Sequence, residues 1–265
     1  MIGAILGDII GSRHEFNNIK TKDFELLTPE CEFTDDTVMT CAVALALLEC
    51  RGDYTDLSKK TIEVMQAVGR QYPDCGYGGM FWNWMFSDGP KPYNSFGNGS
   101  AMRVSPVGFM AKDVEEAKAL SYQVTAVTHN HPEGLKGAEA AAVAIVMARQ
   151  GCSKEEIREA MEKDYYKPKF TVEEYRSIIR GHGDETCQVS MPEALQCFYE
   201  GISYEDVIRN CISIGGDSDT LAAIAGGIAE AFYGVPEDLK AKLPEYLDER
   251  LMNIVNEFRA VCLDK

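Results

Sequence analysis

Two short stretches of oxygen-bearing side chains, far apart in the chain, carry the strongest chemical signal in the sequence. Residues 217–220 read Asp-Ser-Asp-Thr and residues 34–36 read Thr-Asp-Asp, and an apolar run rich in Ala follows each stretch. Asp, Ser and Thr are common at helix starts, because their side-chain oxygens accept hydrogen bonds from free backbone N–H groups. Capping explains one carboxylate at each start, but the second carboxylate needs another cause.

The apolar runs predict that both helices are buried, which brings their first turns into the interior of the protein. A buried start with paired carboxylates needs a counter-charge, because an unpaired buried charge is strongly destabilising. Asp and Thr offer oxygen ligands only, which suit Mg²⁺, Mn²⁺ or Ca²⁺ rather than zinc. We therefore expect the two stretches to face one another around divalent cations.

A glycine-rich stretch is the second candidate for ligand binding. Residues 94–103 read Asn-Ser-Phe-Gly-Asn-Gly-Ser-Ala-Met-Arg. Gly97 and Gly99 permit positive φ angles and a close backbone approach, and such a loop can present successive N–H groups to a phosphate. The pattern is not that of a P-loop, because no Gly-Lys-Ser or Gly-Lys-Thr follows it. A tight turn without a ligand is the alternative interpretation.

Three further side chains have both a chemical and a structural interpretation. His129 and His131 are two residues apart, yet no Cys or third His is placed to complete a zinc site. Hydrogen bonding to a phosphate or ribose is favoured instead, and His131 is the better candidate for a structural role. Asp74, in a turn-rich segment, is interpreted as a turn residue or as a catalytic carboxylate.

Apolar runs of helical length dominate the chain and convincing strand-like alternation is absent, which predicts an all-α fold. Residues 2–10 predict a buried helix whose glycines allow close packing. Pro192 is expected to mark the start of a helix over residues 191–199. No Gly/Ser-rich or Pro-rich linker divides the chain, so residues 1–265 are predicted to form a single domain.

The charge balance limits the partners that the protein can bind. The 265 residues carry a formal net charge of −16, which argues against non-specific nucleic-acid binding and against anionic membrane surfaces. The nine Cys form no Cys-x-x-Cys pair and are expected to be reduced. No apolar run approaches the ~20 residues of a membrane span, and the first residues make a poor signal peptide. The sequence predicts a soluble, cytoplasmic protein.

The ordered set of these motifs resembles the ADP-ribosylglycohydrolase family over essentially the whole chain. The resemblance rests on residues 34–36, 95–103, 128–129 and 215–220, together with Gly-Asp-Ile-Ile-Gly at 7–11. It implies a compact helical fold of the orthogonal-bundle type and a centre of two divalent cations, Mg²⁺ or Mn²⁺. It also implies hydrolysis of the glycosidic bond at C1″, in the distal ribose of ADP-ribose.

The resemblance further implies roles for particular residues. The metal ligands would be Thr34, Asp35, Asp36, Asp217, Asp219 and Thr220, with Asp219 bridging the two ions. The substrate-binding residues would be Ser95, Phe96, Gly97, Asn98, Gly99 and His129. Asp36 is the first choice for acid–base assistance, and Glu15, as a mobile carboxylate that approaches the metals or closes over the ligand, is the second. Family members often have Gly at position 94 and Tyr at position 96, where this chain has Asn and Phe.

Other functions share parts of this pattern. A non-enzymatic member, crystallin-like or ADP-ribose-binding, would be expected to lose metal ligands, and both clusters are complete here. A metal-dependent nucleotide phosphatase would share the cations but would not need the glycine-rich loop. For a hydrolase, the partner is an ADP-ribosylated protein or small molecule. Its acceptor is arginine, serine, a guanidino compound or a base, and the sequence does not distinguish these.

Overall fold

Helices supply the regular structure of this computed structural model, which describes residues 1–178 and 185–263. The α-helices, numbered α1 to α14, are Ile2–Ser12, Asp35–Cys50, Leu57–Gly69, Gly79–Phe86, Ser105–Met110, Val114–Thr125, Pro132–Arg149, Lys154–Asp164, Val172–Ser177, Cys187–Glu200, Tyr204–Ile214, Ser218–Tyr233, Glu237–Lys242 and Glu249–Leu263. Short 3₁₀ helices span Asn98–Ser100 and Leu243–Glu245. The described ranges contain no β-strand, and Gly97 pairs with Thr186 in an isolated antiparallel bridge. The all-α prediction is confirmed.

Helices α1 and α12 lie in direct backbone contact, because glycines occupy the facing side of α1. A Cβ atom added to Gly7 would lie 2.1 Å from the carbonyl oxygen of Ala222. One added to Gly11 would lie 2.4 Å from Cα of Asp219. Gly3, Gly7 and Gly11 are spaced by four residues and therefore share one helix face. This packing, predicted from the glycines, brings α1 against the start of α12.

Helix α2 is buried along most of its length, and its first turn therefore opens into the protein interior. Its side chains from Asp36 to Ala44 are all buried. It packs on α3, α14 and α5, while its first residues lie beside α1. The Ala-rich helix α7 packs on α5, α6 and α12 and closes the other side of the core. The starts of α2 and α12 thus meet inside the molecule.

Several smaller expectations can be compared with the structure. Helix α10 begins at Cys187, five residues before Pro192, so the expectation that Pro192 marks its start was wrong. All nine cysteines are free thiols. Within residues 1–178 and 185–263, no helix is both long and apolar enough to cross a membrane. The single-domain and cytoplasmic assignments stay predictions.

Candidate active site

Thr34 begins the site, because it caps α2 and is held in place by a residue of α1. Its backbone is extended, and its Oγ1 accepts a hydrogen bond from the backbone N of Asp36 at 3.3 Å. The same hydroxyl donates to Oδ1 of Asp8 at 2.7 Å, and the Thr34 backbone N donates to Oδ2 of Asp8 at 3.0 Å. The capping oxygen is thus fixed by helix α2 and by helix α1.

Asp8 is a buried carboxylate in the middle of an apolar helix. Besides the two hydrogen bonds from Thr34, it accepts two from Thr37, one from the backbone N at 3.1 Å and one from the hydroxyl. Burial raises the pKa of Asp8 to about 6, although the bonds from both threonines act in the opposite direction. Asp8 therefore ties α1 to the first turn of α2.

A turn of two glycines leads into α12 and aims its first residues at α2. Gly215 and Gly216 have φ angles of +70° and +84°, a region that side-chain-bearing residues rarely adopt. Thr220, in the first turn of α12, donates from Oγ1 to Oδ2 of Asp36 at 3.1 Å. The two helix starts face one another, as the sequence predicted.

The carboxylates of these helix starts form two groups that share Asp219. Oxygens of Asp8, Asp36 and Asp219 lie within 4.8 Å of one another, and so do oxygens of Glu15, Asp217 and Asp219. Burial raises the pKa values of Asp36 and Asp219 well above the usual range, and the neighbouring carboxylates raise them further. Such crowding of acidic groups costs free energy unless protons or cations are bound.

The donors of both groups fit hard divalent cations. Oδ1 of Asp36 and Oδ1 of Asp219 are buried and have no hydrogen-bond partner in the part of the chain that the structure describes. Every candidate donor is a carboxylate or hydroxyl oxygen, the ligand type that Mg²⁺ and Mn²⁺ prefer. Buried oxygens without a proton donor are what a metal-ligand set requires. The site is therefore suited to a metal centre.

Asp217 occupies the cap position of α12 but does not cap it. Its side chain accepts no capping hydrogen bond from a backbone N–H of the helix. Instead, its Oδ2 accepts a hydrogen bond of 2.6 Å from Nδ2 of Asn98, in the glycine-rich loop. Nδ2 of Asn98 also donates to Oγ of Ser190 at 2.9 Å. Capping does not account for Asp217, which links the acidic cluster to the loop.

Glu15 lies at the outer side of the cluster and is half-buried. Burial and the charge of Asp217 raise the pKa of Glu15 to about 7. Asn18 fastens the loop that carries Glu15: it accepts from the Gly216 backbone N at 2.7 Å and donates to the Glu15 carbonyl at 2.9 Å. The structure thus brings Glu15 to the same carboxylates as residues 217–219.

Asp35 stands beside these groups and belongs to neither. It is half-buried, and its backbone N donates to the Cys75 carbonyl at 2.7 Å. Burial, followed by the charge of Asp8, raises its pKa well above the usual value. Asp74, the other carboxylate considered near this loop, is exposed and lies outside both groups of carboxylates.

The glycine-rich loop does not use the positive φ angles that its glycines permit. Gly97 has a φ of −62° and Gly99 lies within a 3₁₀ helix. The left-handed residue of this loop is Asn94, with a φ of +56°. A Cβ on Gly99 would lie 3.5 Å from Nε2 of His129, which is an ordinary van der Waals distance, so the close backbone approach stays a prediction.

Some side chains around this loop are buried and others are exposed. Ser95 is buried, and its Oγ accepts from the Gly97 backbone N at 3.2 Å. Phe96 is 45% exposed, and its ring centroid lies 5.2 Å from that of His131. His131 caps α7 by accepting from the Glu133 backbone N at 3.1 Å, which supports its structural interpretation. His129 is buried, and that burial lowers its pKa well below the usual value.

Three residues with clear contacts to the site were given no role in it from the sequence: Asp8, Asn18 and Arg103. Asp8 and Arg103 lie in motifs that carry the family resemblance. Asp8 could have been found as a single charge in an apolar run of helical length. Asn18 and Arg103 gave no comparable signal, because their partners are backbone atoms or side chains far along the chain. All three act on residues that were identified, namely Thr34, Glu15 and His129.

Comparison with known proteins agrees with this geometry. The family model described as ADP-ribosylglycohydrolase matches residues 1–264. The chain is 26% identical to ADP-ribosylhydrolase ARH3 of Homo sapiens over 326 aligned positions, which cover 93% of this chain and 88% of that protein. It is 24% identical to ADP-ribosylarginine hydrolase Tri1 of Pseudomonas putida (strain GB-1), over 89% of this chain and 70% of that protein.

A solved structure described as an ADP-ribosylglycohydrolase-related protein complex shares the fold. Its TM-score is 0.71 at 21% sequence identity, and the match covers 97% of this chain and 95% of that one. The chain belongs to the ADP-ribosylglycohydrolase family, and membership identifies it as a glycohydrolase enzyme. The resemblance seen in the sequence motifs is thereby confirmed.

Proposed function

We propose that this protein hydrolyses the glycosidic bond at C1″ of ADP-ribose and so removes ADP-ribose from a modified acceptor. The observation that carries the proposal is the pair of buried oxygens without partners, Asp36 Oδ1 and Asp219 Oδ1, beside a loop suited to phosphates. Buried carboxylate oxygens that lack a donor and lie beside other carboxylates need protons or cations to balance their charge. Their position, between the starts of two buried helices, fits a metal-dependent hydrolase.

Two divalent cations, Mg²⁺ or Mn²⁺, are the proposed cofactors. The residues that would hold them are Thr34, Asp35, Asp36, Asp217, Asp219 and Thr220. Bound cations would orient the distal ribose and lower the pKa of the attacking water. The sharing of Asp219 between the two groups of carboxylates supports its role as the bridging ligand. Asp8 would hold the Thr34 hydroxyl with its hydrogen turned away from the cations, which leaves an oxygen lone pair for them.

Proton transfer is assigned to the carboxylates of Asp36 and Glu15. Glycosidic cleavage passes through an oxocarbenium-like transition state, and a carboxylate that moves the proton is worth roughly 10²–10⁴-fold in rate. Glu15 is half-buried and can exchange protons with solvent, whereas Asp36 is 3% exposed and binds Thr220. The Asn18 contacts would keep Glu15 beside the acidic cluster.

The ADP half of the substrate is assigned to the glycine-rich loop and its neighbours. The proposed contacts are Ser95, Phe96, Gly97, Asn98, Gly99 and His129. A chain with a net charge of −16 must supply local donors for the phosphates, and backbone N–H groups and a neutral His129 can do so. The exposed ring of Phe96 would offer an apolar face to the nucleoside.

The proposal leaves open which acceptor carries the ADP-ribose. One relative is called an ADP-ribosylarginine hydrolase, so protein arginine is tested first. Protein serine, which the sequence leaves open as an acceptor, is tested beside it. In this proposal the whole chain acts as one cytoplasmic domain and needs no membrane or nucleic acid.

Release of free ADP-ribose tests the proposal. An arginine-ADP-ribosylated protein and a serine-ADP-ribosylated peptide are each incubated with Mg²⁺, with Mn²⁺ and with EDTA. Metal-dependent release of ADP-ribose from either supports the proposal and identifies the linkage. Release of inorganic phosphate instead, or release that persists in EDTA, would contradict it. Asp219→Asn serves as the inactive control and Asp74→Asn, an exposed carboxylate outside the cluster, as the active one.

A further inference from the structure

Arg103 is a buried cation without a carboxylate partner. It is 1% exposed, and none of the ion pairs among the described residues includes it. Its guanidinium carbon lies 5.6 Å from the centroid of the Phe81 ring. Its Nε has no hydrogen-bond partner among the residues that the structure describes. Burial lowers the pKa of Arg103 to about 10, so the group stays charged at neutral pH. A charge kept at this cost needs a function.

Among the described residues, one hydrogen bond joins this guanidinium to a side chain, and it leads toward His129. Nη2 of Arg103 donates to Oγ1 of Thr128 at 2.6 Å. Oγ1 of Thr128 lies 2.7 Å from Nδ1 of His129 and 3.5 Å from the carbonyl oxygen of Thr125. These side chains are all buried. They form a chain of contacts from the arginine to one nitrogen of the imidazole ring.

The direction of the hydrogen bonds follows from the donor inventory. A guanidinium only donates, so Thr128 must accept from Arg103 and has a single hydrogen left to give. Two acceptors are within reach of that hydrogen. Nδ1 of His129 is 2.7 Å from Oγ1 of Thr128, whereas the Thr125 carbonyl oxygen is 3.5 Å away, at the limit for a hydrogen bond. The charge of Arg103 polarises the hydroxyl and strengthens it as a donor. Nδ1 of His129 therefore accepts.

We infer that Arg103, acting through the Thr128 hydroxyl, holds His129 as the neutral tautomer with its proton on Nε2. Nε2 is the ring atom that faces the glycine-rich loop: Cβ atoms on Gly97 and Gly99 would lie 3.7 and 3.5 Å from it. Arg103 is thus a positioning residue, and it makes Nε2 of His129 a fixed donor directed at this loop. The lowered pKa of His129, caused by burial and by the Arg103 charge, agrees with a neutral ring.

The consequence for binding rests on the proposed function. If the loop binds the phosphates of ADP-ribose, an Nε2–H donor contributes one hydrogen bond to an anion. The opposite tautomer would present a lone pair and repel the same oxygen. Loss of a hydrogen bond to a charged group weakens binding by about 10-fold or more.

The tautomer is tested first, without any ligand. The protein is labelled with ¹⁵N-histidine and the ring nitrogens are observed by NMR; the chain has four His, and the spectrum of His129→Gln assigns the resonances of residue 129. The inference requires a protonated Nε2 and an unprotonated Nδ1 in the wild-type protein. A protonated Nδ1 would overturn it, whatever the variants do.

A matched pair of variants tests the relay. Thr128→Val removes the hydroxyl at nearly constant volume, and Thr128→Ser keeps it. The inference requires that Thr128→Val loses the single tautomer and binds ADP-ribose about 10-fold more weakly in calorimetry with Mg²⁺, with Thr128→Ser close to wild type. Equal affinity of all three proteins would overturn the relay. If the wild-type protein binds no ADP-ribose, the proposed function fails, but the ring-nitrogen spectrum of the wild-type protein still tests the tautomer. The same spectrum decides the inference if Thr128→Val does not fold.

Discussion

Nδ2 of Asn98 donates a 2.6 Å hydrogen bond to Oδ2 of Asp217, and this contact joins the glycine-rich loop to the acidic cluster. The two residues are 119 positions apart in the sequence. The amide fixes one oxygen of Asp217 and leaves the other for a cation. A displacement of the loop is therefore transmitted to the carboxylate, so the two parts of the substrate would be bound by one connected structure.

Removal of this amide is predicted to impair turnover more than folding. Asn98→Ala leaves Asp217 without its donor, so we expect kcat/KM for ADP-ribose release to fall by about 10- to 100-fold, because hydrogen bonds to charged groups are the stronger ones. Ser190→Ala is the matched control, since it removes the other partner of Asn98 and keeps Asp217 bonded. Equal losses in the two variants would show that the Asp217 contact is not the cause.

The glycine contact between α1 and α12 is predicted to be essential for stability. Gly7→Ala would place Cβ 2.1 Å from the Ala222 carbonyl oxygen, which forces two backbones apart. Overpacking of this kind costs about 1–3 kcal/mol or more. Thermal denaturation should show a clearly lower Tm for Gly7→Ala. Gly79→Ala, also in a helix but with no atom within 4 Å of its added Cβ, should change Tm little. Similar Tm values for both variants would contradict this packing.

Asp8 is predicted to support cation binding indirectly. It would act through its hydrogen bonds with Thr34 and Thr37 and not as a metal ligand itself. Asp8→Asn replaces an acceptor oxygen by an amide that faces N–H and O–H donors. We expect Mg²⁺ affinity, measured by calorimetry, to fall by about 10-fold and Tm to fall as well. Asp74→Asn, exposed and outside the cluster, controls for loss of one negative charge. Unchanged Mg²⁺ affinity in Asp8→Asn would remove Asp8 from this role.

The crowded carboxylates predict an unusual pH dependence of the metal-free protein. Burial raises the pKa of Asp8 to about 6 and, with Asp217, that of Glu15 to about 7. The native state therefore keeps protons that the unfolded chain releases near pH ~4, and the free energy of unfolding falls as the pH rises. The lowered pKa values of His14, His129 and the Met1 amino group act in the opposite direction below about pH 8. The carboxylates with raised pKa values outnumber these three groups: Asp8, Glu15, Asp35, Asp36 and Asp219.

Thermal denaturation in EDTA at pH values from about 5 to about 8 measures this effect. Tm should decrease across the range, less steeply in Glu15→Gln, and saturating Mg²⁺ should stabilise most at the alkaline end. A Tm that rises with pH over this range in EDTA would show that the carboxylates are not crowded in the metal-free protein.

The sequence predicted the parts of the site that depend on local chemistry. Thr34 and Thr220 belong to runs that combine capping residues with buried helices, and both signals are visible in a few adjacent residues. Gly3 and Gly7, in the apolar run of residues 2–10, predicted a buried helix that packs closely on its neighbour. These are patterns of short range, and the structure agrees with them.

The parts that the sequence did not predict depend on contacts between distant residues. Asp8 bonds to residues 26 and 29 positions away, and Arg103 reaches Thr128, so neither partner is visible locally. The backbone of the glycine-rich loop was not predicted either: Gly97 has a negative φ, and the left-handed residue of the loop is Asn94. Helix α10 passes through Pro192, whose missing N–H removes one bond near the helix start without ending the helix.

The position of bond cleavage tests the central proposal most directly. The substrate that releases ADP-ribose is hydrolysed in H₂¹⁸O with Mg²⁺. The masses of the products are measured by mass spectrometry before the anomeric oxygen exchanges with solvent. Cleavage at C1″ predicts one ¹⁸O in the distal ribose of ADP-ribose and an acceptor that carries no label. Label in a phosphate group, in AMP or in the acceptor would contradict the proposed glycosidic hydrolysis.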